Sequence, residues 1–269
     1  MLKSPLRYPG GKSKGAAQIM HYFPRYLQEM ASPFIGGGSI ELQAAESGIR
    51  VYGSDAFPTL VDFWQELLSD PVSLHKAVLN FHPMPAEQYK ELQRTFLETQ
   101  WVSESQLEKA ARYYAINRAS FSGIGLFGAG MSPKTERFTR KHIDYLAEFK
   151  APQLSVELSD FQKALKHRPS VFAYCDPPYF LDGKCLYGKQ HLDFNHEALH
   201  RILRKRKAWL LSYDDCPEVR ELYSGFRIKT VSWCYGMANQ NEGFDGTSKE
   251  VLILSDDIIE PQELQPSLF

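Results

Sequence analysis

Three glycines in a row, Gly36-Gly37-Gly38, stand between the short segment Ala31-Ser32-Pro33-Phe34 and the helix-like run Ser39-Ile40-Glu41-Leu42-Gln43-Ala44-Ala45-Glu46. Residues without a Cβ let backbone amides come close to a ligand, and a helix N-terminus behind them adds positive potential. Gly48 then offers the left-handed conformation that ends a helix, and Val51-Tyr52-Gly53-Ser54-Asp55 reads as the next strand. A strand closing on an acid about 20 residues beyond a glycine loop outlines a mononucleotide-binding half-fold, with the acid on the ribose diol. Gly36, Gly38 and Asp55 are therefore expected at a cofactor, within an α/β fold. The plainer reading of the glycines is a tight turn, and that of Asp55 a turn residue or helix N-cap ahead of Pro58.

A second constraint lies far downstream, where the apolar run Val171-Phe172-Ala173-Tyr174-Cys175 leads into Asp176-Pro177-Pro178-Tyr179. In open α/β sheets ligands collect at the carboxyl ends of the strands. Proline offers a carbonyl but no N–H, so a carboxylate and two such carbonyls can all accept hydrogen bonds from one amino group. Tyr179 adds a face on which a flat base can stack. The tetrad thus suits a planar substrate with an exocyclic amine, although Asp-Pro-Pro also serves as an ordinary strand-ending turn.

Between these landmarks the character changes. Helices and irregular loops occupy 58–150, including the pattern Ser103-Glu104-Ser105-Gln106, which reads as a capping box opening a helix over 107–117. A long segment, 121–138, carries four glycines without period; loops of that length in compact domains tend to be functional or disordered. Elsewhere helices are expected over 13–30, 139–149, 161–166 and 195–206, and strands over 31–34, 154–158, 171–175, 208–212, 226–231 and 250–254.

The order Tyr8-Pro9-Gly10-Gly11-Lys12, Pro33-Phe34-Ile35-Gly36-Gly37-Gly38-Ser39, Val51 to Asp55 and finally Asp176-Pro177-Pro178-Tyr179 resembles the Dam-type (D12 class) DNA adenine-N6 methyltransferases. The resemblance covers nearly the whole chain. It implies a Rossmann-like S-adenosylmethionine-dependent core over 1–57 and 151–269, with a mostly helical target-recognition insertion over 58–150. It implies that Tyr8 and Lys12 close over the methionine half of S-adenosylmethionine, Lys12 on its carboxylate, joined at the cofactor by Asp176. It also implies that Asp176, Pro177 and Tyr179 act on an adenine flipped out of duplex DNA. The segment Asn117-Arg118-Ala119-Ser120-Phe121-Ser122-Gly123 is similar to the family's DNA-contacting stretch, so Asn117, Arg118, Lys134 and Arg137 are the expected DNA-binding residues. Two departures stand out: Tyr8 replaces a frequent tryptophan, and the residues after Gly123 lack the tyrosine-rich pattern of GATC-specific members, which argues against GATC as the site.

Other readings are weighed against this one. Gly10-Gly11-Lys12-Ser13 is no phosphate loop, because Leu6 stands where the first glycine is required. Adenine methylation in structured RNA uses the same chemistry, but Asp at position 176 is the residue usual in the DNA enzymes. A non-catalytic DNA-binding regulator would not need the whole set of Tyr8, Lys12, Gly36, Gly38, Asp55 and Asp176. The net charge of −1 gives no general excess of cations for nucleic acid, leaving local clusters such as Lys134, Arg137, Arg140 and Lys141 to do so. Cys175, Cys185, Cys216 and Cys234 lack metal-ligand spacing, and no metal site is expected, His196 and His200 reading as a helix surface. No segment suggests a signal peptide or membrane span, so a cytoplasmic protein is expected, as a monomer or weak dimer; three roles stay open, the modification half of a restriction system beside a separate cognate endonuclease, an orphan methylase, or a phage enzyme.

Overall fold

The computed structural model describes residues 2–132, 137–180, 194–232 and 250–258. Seven strands form one sheet among them: β1 (Glu29–Ser32), β2 (Arg50–Asp55), β3 (Leu154–Leu158), β4 (Phe172–Cys175), β5 (Trp209–Asp214), β6 (Arg227–Val231) and β7 (Glu250–Leu254). Their order is β3-β2-β1-β4-β5-β7-β6. The first five run parallel, and β7 lies antiparallel between β5 and β6. Strands β4 and β7 are buried along their whole length, as expected for strands covered on both faces. The order reverses between β1 and β4, and at such a switch point the loops leaving the two strands part and open a crevice.

Ten α-helices accompany the sheet in the described residues: α1 (Ala16–Met20), α2 (Ser39–Glu46), α3 (Pro58–Ser69), α4 (Pro71–Leu79), α5 (Ala86–Thr99), α6 (Gln106–Ala119), α7 (Arg140–Ala147), α8 (Phe161–His167), α9 (His196–Leu203) and α10 (Pro217–Leu222). The first is much shorter than the sequence suggests. Pro24 pushes the preceding residue out of helical backbone, and Glu29 to Met30 are claimed by β1, which pairs with both β2 and β4. The cap of α6 also moves: Ser105, not Ser103, accepts from the Glu108 N–H at 3.2 Å, so the box is Ser105-Gln106-Leu107-Glu108.

Helices α3 to α7 all lie between β2 and β3. They share one continuous core with the sheet, in which Met30 and Val51 join Trp64, Tyr114 and Leu146, all fully buried. Burying each such side chain stabilises the fold by about 1.5–3 kcal/mol. The inserted helices are thus anchored on the sheet rather than hung beside it.

The glycine-rich segment after α6 is held as a closed loop. Ser120 and Met131 form an antiparallel bridge, the Tyr89 hydroxyl donates to the Ala129 carbonyl, and Gln93 donates to the carbonyls of Gly125 and Ala129. Asn117 ties this loop to the chain's beginning: it accepts from the Arg7 N–H and donates to the carbonyls of Arg7 and Gly123, each at 2.9 Å. Gly123 has φ of +83°, and a Cβ there would lie 1.9 Å from the Arg7 carbonyl oxygen. Gly128, at φ +94°, has nothing within 4 Å. Gly128→Ala should therefore lose only the left-handed backbone penalty, about 1–2 kcal/mol. Gly123→Ala should lose about 2–5 kcal/mol, because overpacking adds to it. Urea unfolding of the two variants checks this, and equal losses would contradict the tether.

Candidate active site at the carboxyl edge of the sheet

A cavity of about 500 Å³ opens at the switch point. The glycine loop forms one wall: Ile35 N–H donates to the Ser54 carbonyl at the end of β2, and Gly38 N–H turns back to the Ile35 carbonyl. Gly36 and Gly38 have φ of +45° and +68°. A Cβ at Gly36 would strike the Tyr8 ring at 2.8 Å, and one at Gly38 would strike Trp64 at 2.8 Å. The glycines thus let Tyr8 lie on the loop from one side while Trp64, on α3, supports it from the other, donating its indole N–H to the Gly36 carbonyl. No side chain caps the N-terminus of α2 behind this loop. Asp55 closes β2 and lines the same cavity, its carboxylate accepting from the N–H groups of Gly36 at 3.2 Å and Phe57 at 3.0 Å. Burial raises its pKa. Asp55 therefore does serve the turn, and it faces the cavity as well.

Opposite stands the end of β4. Lys12, carried in by the N-terminal segment, is buried. Its ammonium lies 3.0 Å from Asp176 Oδ1, donates to the Gly10 carbonyl at 2.9 Å, and sits 3.8 Å from Glu250 Oε2. The same ammonium stands 4.9 Å above the Tyr179 ring, a favourable contact between a cation and a π face. The Tyr179 hydroxyl is 2.9 Å from Glu250 Oε2 and 3.3 Å from Asp176 Oδ1. It has one proton to share between the two acids. Burial pushes the Glu250 carboxyl up to about 7, against the pull of Lys12. Pro177 and Pro178 line the cavity beside them.

Tyr8, Lys12, Gly36, Gly38, Asp55, Asp176, Pro177 and Tyr179 are thus brought around one cavity. The expected DNA-binding set is not exposed in the same way. Asn117 is fully engaged at the Arg7 tether, and Arg118 is buried, giving its guanidinium to the carbonyls of Arg137 and Pro5. Both side chains hold the loop and the N-terminal segment in place. Arg137 is half-buried; burial, with the charges of Arg137 and Arg118 added to it, lowers the Arg7 pKa to about 10. Lys134, Cys185, Cys234 and the loop over 181–193 lie outside the described residues. His196 pairs with the Tyr213 hydroxyl and stacks on Phe180, and His200 packs edge-on against Tyr223.

Sequence reading missed two acids at this site, Glu41 and Glu250. Glu250 opens an otherwise apolar strand, a visible oddity. Its position at the carboxyl edge follows only from the antiparallel course of β7, which sets it opposite Asp214. Glu41 sits between Ile40 and Leu42 on a buried helix face, and a charge in such a place is the signal that identifies it.

Comparison with known proteins decides what the arrangement belongs to. The family model described as D12 class N6 adenine-specific DNA methyltransferase matches residues 8–237. The chain belongs to this family. Its activity is N6 methylation of adenine in DNA, carried out by a Rossmann-like α/β core. Among curated proteins it is similar to the Type II methyltransferase M.CviBI of Paramecium bursaria Chlorella virus NC1A, 22% identical over 239 residues, 84% of this chain and 88% of that one. Two solved structures are also similar. Precorrin 8W decarboxylase of Methanobacterium thermoautotrophicum has a TM-score of 0.40 at 14% identity, covering 95% of this chain and 96% of that one. Precorrin-6y C5,15-methyltransferase of Geobacter metallireducens GS-15 has a TM-score of 0.33 at 10% identity, covering 89% and 84%. At these scores the fold statement rests on the strand order and the family match.

The cavity fits the methyl donor such an enzyme requires. It combines close-approach glycines, an uncapped helix N-terminus, an acid at the end of β2 and a buried lysine. Among the described residues no helix is long and apolar enough to cross a membrane, and no group of three acids, histidines or cysteines is placed to hold a metal.

A pH test follows from Glu250. Its folded carboxyl holds the proton up to about pH 7, against an ordinary value of 4.5. A group raised on folding contributes stability below its unfolded pKa and loses it as pH rises through the folded one. Glu250→Gln, which keeps a partner for Tyr179 and carries no charge, should therefore gain on the wild type between pH 5 and pH 8 by roughly 2–3 kcal/mol. Chemical denaturation across that range measures it, and a difference independent of pH would contradict the assignment.

Proposed function

We propose that this cavity binds S-adenosylmethionine and an adenine extruded from duplex DNA, and that Asp176, Pro177 and Tyr179 act on the adenine amine. The observation that carries the reading is the Lys12 ammonium held between Asp176 and the face of Tyr179. A pocket that already receives a nitrogen donor on a carboxylate and over a ring offers the same features to the exocyclic amine of a base. When bound, S-adenosylmethionine supplies an electrophilic methyl group on a sulfonium. The Asp176 carboxylate and the Pro177 carbonyl accept the two N–H protons, which turns the nitrogen lone pair out of conjugation and toward that methyl. As the N–C bond forms, the nitrogen becomes positive and Asp176 opposes the charge; the catalytic terms are orientation and electrostatic stabilisation. The methyl–sulfur bond would break as the N–C bond forms, its electron pair returning to sulfur to leave a neutral thioether, and the excess N6 proton would be lost to solvent water. Lys12, released from Asp176, pairs with the cofactor carboxylate. Asp55 holds the ribose hydroxyls with the lone pairs left by Gly36 and Phe57. Tyr179 stacks on the base and repays part of the unpairing cost of a few kcal/mol.

Residues 58–150 form the target-recognition region in this reading. The closed loop over 120–132 and Arg137, with Lys134, meet the DNA, while Asn117 and Arg118 contribute by fixing that loop. Similarity to a protein named a Type II methyltransferase supports a role beside a separate restriction endonuclease of the same specificity. In this reading the protein acts as a monomer or weak dimer in the cytoplasm.

Asp176 interacts with the amine most strongly when it becomes positive, so its loss should fall on turnover rather than binding. Asp176→Ala should lower the single-turnover rate of labelled methyl transfer to duplex DNA by roughly a hundredfold to a thousandfold. DNA affinity should change only a few fold. A variant that keeps normal turnover would sink the mechanism.

A further inference from the structure

Among the acids that line the cavity, Glu41 has no part in the chemistry above. Glu41, on the first turn of α2, is 3% exposed and lines the cavity floor. Its carboxylate accepts from the Ser32 hydroxyl at 2.6 Å, at the carboxyl end of β1. Asp176 and Tyr174 of β4 are the titratable groups facing it, and among the described residues no cation lies within ion-pairing distance. A buried acid without a cation is costly, and this one answers by holding its proton up to about pH 7. A structural tether for Ser32 alone would not need a carboxylate, since a glutamine carbonyl accepts the same bond.

We propose that Glu41 binds the α-ammonium of the methionine half of S-adenosylmethionine. With Lys12 on the carboxylate, the cavity then carries one fixed charge for each end of the zwitterion. The assignment rests on the reading of the cavity as the S-adenosylmethionine site. Binding of the ammonium draws the carboxyl into its ionised form, so loading near neutral pH releases a proton.

Calorimetry separates this role from a structural one. The ligands are S-adenosylmethionine and 5′-methylthioadenosine, which keeps the nucleoside and sulfur but lacks both charged groups. Glu41→Gln, which preserves the bond to Ser32, should weaken S-adenosylmethionine at least tenfold and leave 5′-methylthioadenosine within twofold. In buffers of different ionisation enthalpy at pH 7, wild type should release a fraction of a proton on binding S-adenosylmethionine, and Glu41→Gln should not. A Glu250→Gln background in both proteins silences the other carboxyl that titrates near neutrality. Equal S-adenosylmethionine affinity in the two proteins, or an equal weakening of both ligands, overturns the role of Glu41 and leaves the cavity's identity standing. No binding of S-adenosylmethionine by the wild type overturns both.

Discussion

Lys12 reaches from the N-terminal segment into the carboxyl edge of the sheet and meets Asp176 at 3.0 Å, with Glu250 and the ring of Tyr179 close by. Removing one partner from a buried charge cluster leaves the others uncompensated, typically a loss of several kcal/mol, so these groups hold one another in place. In the reading proposed above, the same attraction favours an incoming amine. A carboxylate that welcomes an ammonium in the free protein is one that stabilises a nitrogen gaining positive charge in the transition state. Structure and chemistry here draw on the same electrostatics.

The surrounding fold serves that cluster by placing its members, which come from distant parts of the chain. Lys12 depends on the N-terminal segment, whose course is set at Arg7 by Asn117 of α6 and by the close approach of Gly123. Tyr8, one residue on, lies on the glycine loop, and Trp64 of α3 supports that loop from behind. The helical insertion is thus coupled to the glycine-loop wall of the cavity through Trp64 and to the segment that carries Lys12 through Asn117. In the reading proposed above, recognition by the insertion and chemistry at the sheet would share these mechanical links.

Much of this was legible in the sequence. The glycine loop, the acid ending β2 and the tetrad after β4 are local patterns whose physics is contained within a few residues, and each falls at the cavity. The strand order could not be read, because the partners of β7 are set by tertiary packing, and with it went the position of Glu250. The pairing of Lys12 with Asp176 spans most of the chain and has no local signature. Nor was the engagement of Asn117 and Arg118 legible. Polar residues in a family-like segment read as DNA contacts, yet their side chains are consumed by backbone carbonyls. The burial that forces this belongs to the packed loop and not to the residues themselves. The first helix was overextended for a similar reason, since the pairing of β1 with two neighbours outweighs local helical preference.

The central claim is that Asp176 exchanges one nitrogen donor for another, Lys12 giving way when the methyl donor arrives. A crystal structure of the protein with S-adenosylmethionine tests this most directly. The account predicts the Lys12 ammonium on the cofactor carboxylate and withdrawn from its 3.0 Å contact with Asp176, with the Asp176 carboxylate open toward the base pocket. A bound cofactor with Lys12 still seated on Asp176 would contradict it.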